Sequence, residues 1–307
     1  MGRTSAGTPD RGNSARSIGR GSPDYPRLLD AIPDPPMELH VQGDAGLLSR
    51  VAVAVVGSRK SSDLGRAMAE QVGARLAERG VVVVSGLAVG IDAAAHGAAL
   101  AVGGPTVAVL GGGLDVAAPA ANRGLAERIG REGCLVTEFP PGTPPLAHHF
   151  PRRNRIIAGL ARIVVVVEAA GKSGALTTAR HALAAGREVM VVPGHPLMPN
   201  AAGVNGLLFD GARPVLSPDD VLAELGGLPG LAVPAPAPGD GTTVTQGSPR
   251  QRLIGALCEV PAPAERLARE TLLTLAETLA ILTELELLGL ARSHAGNRYS
   301  LPLARRP

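Results

Sequence analysis

Short, almost wholly apolar runs recur through the middle of the chain: 51–56 (VAVAVV), 81–84 (VVVV), 105–110 (PTVAVL), 134–137 (CLVT), 163–167 (IVVVV) and 189–192 (VMVV). Each is rich in β-branched residues, too short for a helix, and followed by small or polar residues, so each predicts a buried strand. Between them the apolar positions follow a helical period. From Gly65 to Arg79, for example, Met68, Val72 and Leu76 stand four apart on one face. Strands that are apolar along their whole length and alternate with helices predict an α/β fold with a parallel sheet covered on both faces. Residues 204–225 supply a last helix or two.

The flanks read differently. Residues 1–22 are mostly Gly, Ser, Thr and Arg, with almost nothing to bury, and predict a disordered basic tail. Residues 23–50 mix prolines with Leu28, Leu29, Ile32, Met37 and Leu39 and predict an arm packed on the main domain, which then spans 23–228. Residues 229–250, rich in Pro, Gly, Ala and Thr, read as a linker. In 251–307, helical periodicity runs through 251–258, 264–270 and 275–288. Two extended pieces then surround a Gly-Asn turn, and the module has the plan of a winged helix.

Composition narrows the chemistry. Aromatic residues make up only 2% of the chain and there is no Trp, so the core must be Val, Leu and Ala and any exposed aromatic is notable. A net charge of +3 announces no partner, and the distribution of charge has to decide. Cys134 and Cys258 both lie in apolar periodic segments and are expected to be buried thiols of a cytoplasmic protein. There is neither a signal peptide nor an apolar run of membrane-spanning length, so no membrane association is expected.

The loops that leave the strands are GSR, SGLAVG, GGGLD, EFPPG, EAAGKSG and PGHP. A parallel sheet gathers such loops on one rim, at the carboxyl ends of its strands, where ligands bind. Gly57-Ser58-Arg59 suits an anion, with bare backbone before a helix start and a guanidinium fork beside it, although a tight turn with a solvated arginine needs no more. A dinucleotide is disfavoured: G-x-G-x-x-G is missing, and the second strand ends in Ser85-Gly86 rather than an acid. Gly171-Lys172-Ser173 imitates a phosphate loop, but Val166 stands where its first glycine belongs. That loop can still hold one phosphate through Lys172 and helix N-terminal N–H groups. No cofactor is expected.

Asp115, Glu138 and Glu168 each follow a strand and can converge on the rim. Asp92 and His96, at i and i+4, are expected to form a structural hydrogen bond rather than a general-base pair. His148-His149 reads as a mildly basic patch, not a metal site. The segment His148–Leu160, HHFPRRNRIIAGL, sets Arg152, Arg153 and Arg155 at a helix start, where positive charge opposes the helix dipole unless an anion or carboxylates compensate. Phe150 precedes them. It can stack a base while the arginines neutralise phosphates, or it can staple the helix while they pair with Glu138 or Glu168.

The segments YPRLLDAIPDPPMELHVQG (25–43), VVGSR (55–59), SGLAVGIDAAAH (85–96), LGGGLD (110–115), FPRRNRIIAGL (150–160), EAAGKSGALTTARHAL (168–183), GREVMVVPG (186–194) and GVNGLLFDGA (203–212) resemble, in order, the DNA-processing protein A (DprA/Smf) family. The resemblance implies an extended Rossmann-like domain that binds single-stranded DNA, forms a homodimer and delivers a RecA-type recombinase during natural transformation. It implies no enzymatic activity. Carried over by position, it gives Gly57, Ser58 and Arg59 to the phosphate backbone, with Ser85, Gly86, Arg153, Asn154, Arg155, Lys172, Ser173, Gly174 and Thr177 lining the same pocket.

Some features depart from the family. The helical N-terminal domain of many members is not expected from 1–22. The Tyr-Pro that usually follows GLD is Ala118-Pro119. The third helix of the winged module, 275–288, carries Glu277, Glu284 and Glu286 and no Lys or Arg, so a protein-contact role is expected for it rather than duplex reading. An alternative function is that of the nucleotide phosphoribohydrolases of the same superfamily. Their catalytic glutamate has no counterpart in Ser173–Leu183.

Overall fold

The computed structural model describes residues 15–116, 120–228, 249–258, 261–288 and 290–301. The chain forms two units, dividing near residue 237.

In the first unit the elements follow one another as β1 (Arg16–Gly19), α1 (Arg27–Asp30), β2 (Glu38–Gly43), β3 (Ala52–Val56), α2 (Asp63–Glu78), β4 (Val82–Ser85), α3 (Ile91–Ala101), β5 (Thr106–Val109), α4 (Arg123–Glu132) and β6 (Cys134–Thr137). They continue as α5 (His149–Leu160), β7 (Ile163–Val166), α6 (Gly174–Ala184), β8 (Glu188–Val191), α7 (Ala202–Phe209), β9 (Arg213–Pro214) and α8 (Pro218–Gly227). The nine strands form one sheet in the order β1-β2-β6-β5-β4-β3-β7-β8-β9. Every pair from β6 through β9 is parallel, and β2 adds antiparallel to β6, with β1 antiparallel to β2. The apolar runs are therefore the strands, displaced by a residue or two.

Burial alternates as the pleat requires. Ala54 and Val56 face Ile156, Ile157 and Ala179 on one side of the sheet. Val53 and Val55 face Val72, Leu76, Ile91 and Val221 on the other. Both faces are covered, which is why the runs carry no polar alternation. A smaller cluster under α4 joins Leu87, Leu100, Leu110, Ile129 and Leu135.

The N-terminal expectation needs correcting. Of the segment 1–22, the described residues include a strand rather than a disordered tail: Arg16–Gly19 pairs with β2 and buries Ile18. The proline-rich arm is likewise part of the sheet, with Leu39 and Val41 of β2 turned inward.

The second unit contains α9 (Pro249–Ala256), β10 (Ala262–Pro263), α10 (Ala264–Thr271), α11 (Leu275–Leu287), β11 (Arg292–His294) and β12 (Arg298–Ser300). The helices close around Leu253, Leu267, Leu282 and Leu285. The hairpin turns at Gly296-Asn297, both at positive φ, and β10 adds a third strand on β12. Cys134 is buried, whereas Cys258 is exposed, against expectation. The linker lies outside the described residues, apart from Pro249 and Arg250 of α9, as does Ala118-Pro119. Among the described residues no helix is long and apolar enough to cross a membrane.

Candidate nucleic-acid interface

Strand β3 is the switch point of the sheet: the chain runs from it outward through β4, β5 and β6, then returns to β7 on its other side. Crevices open at the carboxyl ends of strands at such a point. Here a cavity of about 580 Å³ is lined by Gly57, Ser58, Arg59 and Lys60 after β3, by Phe150, Arg153 and Asn154 of α5, and by Ser173 and Gly174 after β7. A second cavity of about 250 Å³ shares Arg59, Phe150 and Arg153 and adds Gly86, Leu87, Gly111 and Gly112.

The loop after β3 is built to approach closely. A Cβ on Gly57 would lie 2.6 Å from the Ile91 side chain. The Ser58 hydroxyl accepts from Lys60 N at 3.1 Å, turning the chain so that Arg59 and Lys60 stand exposed. Neither makes an ion pair among the described residues. The Arg59 guanidinium lies over the Phe150 ring, 4.8 Å from its centroid. Phe150 is half-buried at the cavity wall.

The arginines of α5 behave otherwise. Arg153 is buried, and its guanidinium donates to Val109 O and, at 2.7 Å, to Gly86 O. A Cβ on Gly86 would lie 2.4 Å from that guanidinium, so a side chain there would displace it. Burial lowers the Arg153 pKa to about 10, against the pull of Asp92. Asp92 is buried as well, and desolvation raises its pKa while Arg153 opposes the rise. Its carboxylate accepts from Gly86 N at 3.1 Å and Ala88 N at 3.4 Å, holding a turn whose Leu87 has φ +58°.

The expected Asp92–His96 hydrogen bond is therefore not made. His96 Nδ1 instead meets the Thr106 hydroxyl at 2.6 Å, and burial, with Arg153 nearby, depresses its pKa to about 3. Arg155 pairs with Glu138 at 2.6 Å and Asp34 at 3.0 Å, and Arg152 reaches the same Glu138 oxygen at 3.0 Å. Carboxylates thus compensate the charge of Arg152 and Arg155 near this helix start.

Several other predicted site residues are placed by the scaffold. Ser85 is buried, its hydroxyl donating to Val55 O at 2.6 Å, and it lines neither cavity. The Asn154 amide donates to Gly174 O at 3.1 Å, tying α5 to the loop after β7. Ser173 caps α6 by accepting from Ala175 N. Lys172 is exposed beside it without lining the cavity, and Thr177 sits a turn further along α6, also outside it. Glu168 accepts from Ser62 N at 3.0 Å and from the Ser62 hydroxyl, at the start of α2. Lys60 and Asn200 are among the lining residues that the sequence reading did not assign to the site. Lys60 was signalled by its place directly after GSR, and Asn200 by nothing local. No group of three or more His, Cys, Asp or Glu among the described residues is placed to hold a metal ion.

The family model for DNA recombination-mediator protein A matches residues 16–226, and that for the DprA winged helix domain matches 233–297. DNA processing protein DprA of Streptococcus pneumoniae is 48% identical over 200 residues, covering 65% of this chain and 71% of that protein. Protein Smf of Synechocystis is 38% identical over 311 residues, covering 90% and 78%. The crystal structure of the S. pneumoniae protein superposes with a TM-score of 0.66 at 46% identity over 70% of this chain and 75% of that one. DNA processing protein A of Helicobacter pylori, described for its single-stranded DNA binding mode, gives 0.63 at 27% identity over 69% and 96%. With a family model spanning most of the first unit and relatives this similar, the chain belongs to the DNA recombination-mediator protein A (DprA/Smf) family.

Proposed function

We propose that this recombination mediator binds single-stranded DNA at the carboxyl rim of its sheet, through the phosphate backbone and without reading sequence. The observation that carries this is the loop Ser58-Arg59-Lys60: two exposed cations with no carboxylate partner among the described residues, next to the half-buried Phe150. Phosphates want unpaired cations, and a base wants a ring face to stack on. That the H. pylori relative binds single-stranded DNA agrees with this reading. Because Arg59 covers Phe150, a base that stacks there has to displace the guanidinium, exchanging one cation–π contact for a stacking contact and freeing Arg59 for phosphate.

Gly57, Ser58, Arg59, Lys60, Phe150, Ser173 and Gly174 form the contact surface in this proposal, and Lys172 extends it. Gly86, Arg153 and Asn154 shape it from beneath. Ser85, Arg155 and Thr177 belong to the scaffold. A RecA-type recombinase and a second copy of the chain are the partners proposed on the strength of the family. A binding role, rather than hydrolysis of nucleotides, is favoured because α6 carries no acid.

The test is a titration of mixed-sequence single-stranded and duplex oligonucleotides at several salt concentrations. Single strands should bind better, with log affinity falling linearly in log salt at about 0.7 per neutralised phosphate. A flat salt response would sink the proposal. Release of free base from nucleoside monophosphates would revive the hydrolase alternative.

A further inference from the structure

A third cavity, of about 500 Å³, opens on the same rim beyond Lys60, between the start of α2 and the segment after β8. Much of its wall is apolar, formed by Leu64, Met68, Val192, Met198, Pro199 and Val204. Leu64 is 84% exposed and Met198 51%, large apolar side chains left in water at its mouth. It adjoins the cationic basin. Asn200 lines both, and its amide donates to Lys60 O at 2.7 Å. Lys60 lines one and Ser62 the other, so two residues of chain, at most about 7 Å, separate them.

The two differ in charge. No lysine or arginine lines the third cavity; its polar side chains are Ser62, Gln71, Glu168, His195 and Asn200, of which Glu168 is the acid. The Glu168 charge disfavours a phosphate there. What fits is a flat, uncharged group with an apolar face and hydrogen-bond donors on its edge. The polarizable Met198 and the proline offer the face, and the Glu168 carboxylate keeps lone pairs beyond those used by Ser62 to accept an amino group.

We infer that this cavity takes a nucleobase of the strand whose phosphate lies against Ser58–Lys60. The inference rests on the phosphate reading of the basin. It adds that the strand continues past Lys60 with a base turned inward.

The experiment titrates the full chain with a mixed-sequence single-stranded oligonucleotide and with an abasic deoxyribose-phosphate chain of equal length. It compares wild type, Leu64→Gln with Met198→Gln, and Arg59→Ala with Lys60→Ala. The Leu64/Met198 pair is exposed and uncharged before and after, so melting temperature and salt slope should hold. Affinity for the base-bearing strand should fall about fivefold to tenfold, and affinity for the abasic chain by less than about twofold. Unchanged binding of the base-bearing strand by this pair, alongside lost binding by the Arg59/Lys60 pair, would overturn the base site and leave the basin standing. Equal losses on both ligands would also overturn it. If the Arg59/Lys60 pair bound both ligands like wild type, the basin reading would fall and take this inference with it.

Discussion

Arg59 and Lys60, on the loop after β3, keep their charged ends in water, whereas Arg153 and Arg155, in the second turn of α5, have theirs buried against carbonyls and carboxylates. In the sequence both pairs look alike, basic residues beside a helix start and a small-residue loop. The difference lies in what the fold brings to them. Glu138 and Asp34 close on Arg155, and Asp92 with two backbone carbonyls closes on Arg153, while among the described residues nothing acidic pairs with Arg59 or Lys60. A buried, paired cation has little left to offer a phosphate. An exposed, unpaired one has almost nothing to offer stability.

The sharpest way to break this division is Arg155→Ala. It leaves Glu138, whose side chain is only 4% exposed, with the solvated Arg152 as its remaining partner. Removing one member of a buried pair strands the other, and about 3 kcal/mol of stability should be lost. Thermal or denaturant unfolding measures it. DNA affinity per folded molecule should stay within about twofold. Lost affinity with an unchanged melting temperature would put Arg155 on the DNA.

The complementary pair, Arg59→Ala with Lys60→Ala, should leave the melting temperature alone and weaken single-stranded DNA binding about thirtyfold, or ~2 kcal/mol. The salt slope should become shallower by about 1.4, two phosphates' worth. Weakened binding with an unchanged slope would mean these cations do not neutralise phosphate.

His96 extends the buried side of the comparison to acid. Its folded pKa, about 3, lies below the ordinary value of 6.5, so the unfolded chain takes up the proton first. The neutral imidazole's contribution is complete above pH 6.5 and is lost as pH falls from there toward 3. By pH 5.5 that amounts to about 1.4 kcal/mol. Asp92, with its raised pKa, acts in the opposite direction, so the quantity to measure is the difference in acid slope between wild type and His96→Gln. Identical slopes would show that the imidazole is already accessible to protons in the folded state.

Much of the scaffold was legible because central strands covered on both faces have to be apolar throughout. β1 was not, since RSIG offers one apolar residue, and Ile18 becomes a core residue only when β2 lies alongside. At the site, the rim loops could be read as small-residue exits from strands. Which cations face outward could not, because that is decided by Glu138, Asp34, Asp92 and Gly86, brought from well outside α5. The Asp92–His96 spacing was read as a pair, whereas tertiary partners satisfied each residue separately: the turn at Gly86 for one, Thr106 for the other.

The smallest expected effect tests whether positive charge on the second unit matters at all. A chain ending near Leu228 retains all nine strands, the rim loops and Arg59, Lys60 and Phe150. It removes a winged module whose third helix, α11, has no Lys or Arg. There Glu277 closes a capping box with Thr274, Glu284 pairs with Arg250, and Glu286 accepts from Ser293. A helix that reads a major groove presents basic or amide side chains to bases and phosphates, and this one presents Ala276, Glu277, Ala280, Thr283 and Leu287. Its loss should therefore leave single-stranded DNA affinity within about threefold, under ~0.7 kcal/mol. Fluorescence anisotropy on the full and shortened chains, with folding checked by melting, decides it. A loss of about a hundredfold in a folded truncation would place the module on DNA, with Arg292 and Arg298 of the hairpin as the contacts to substitute next.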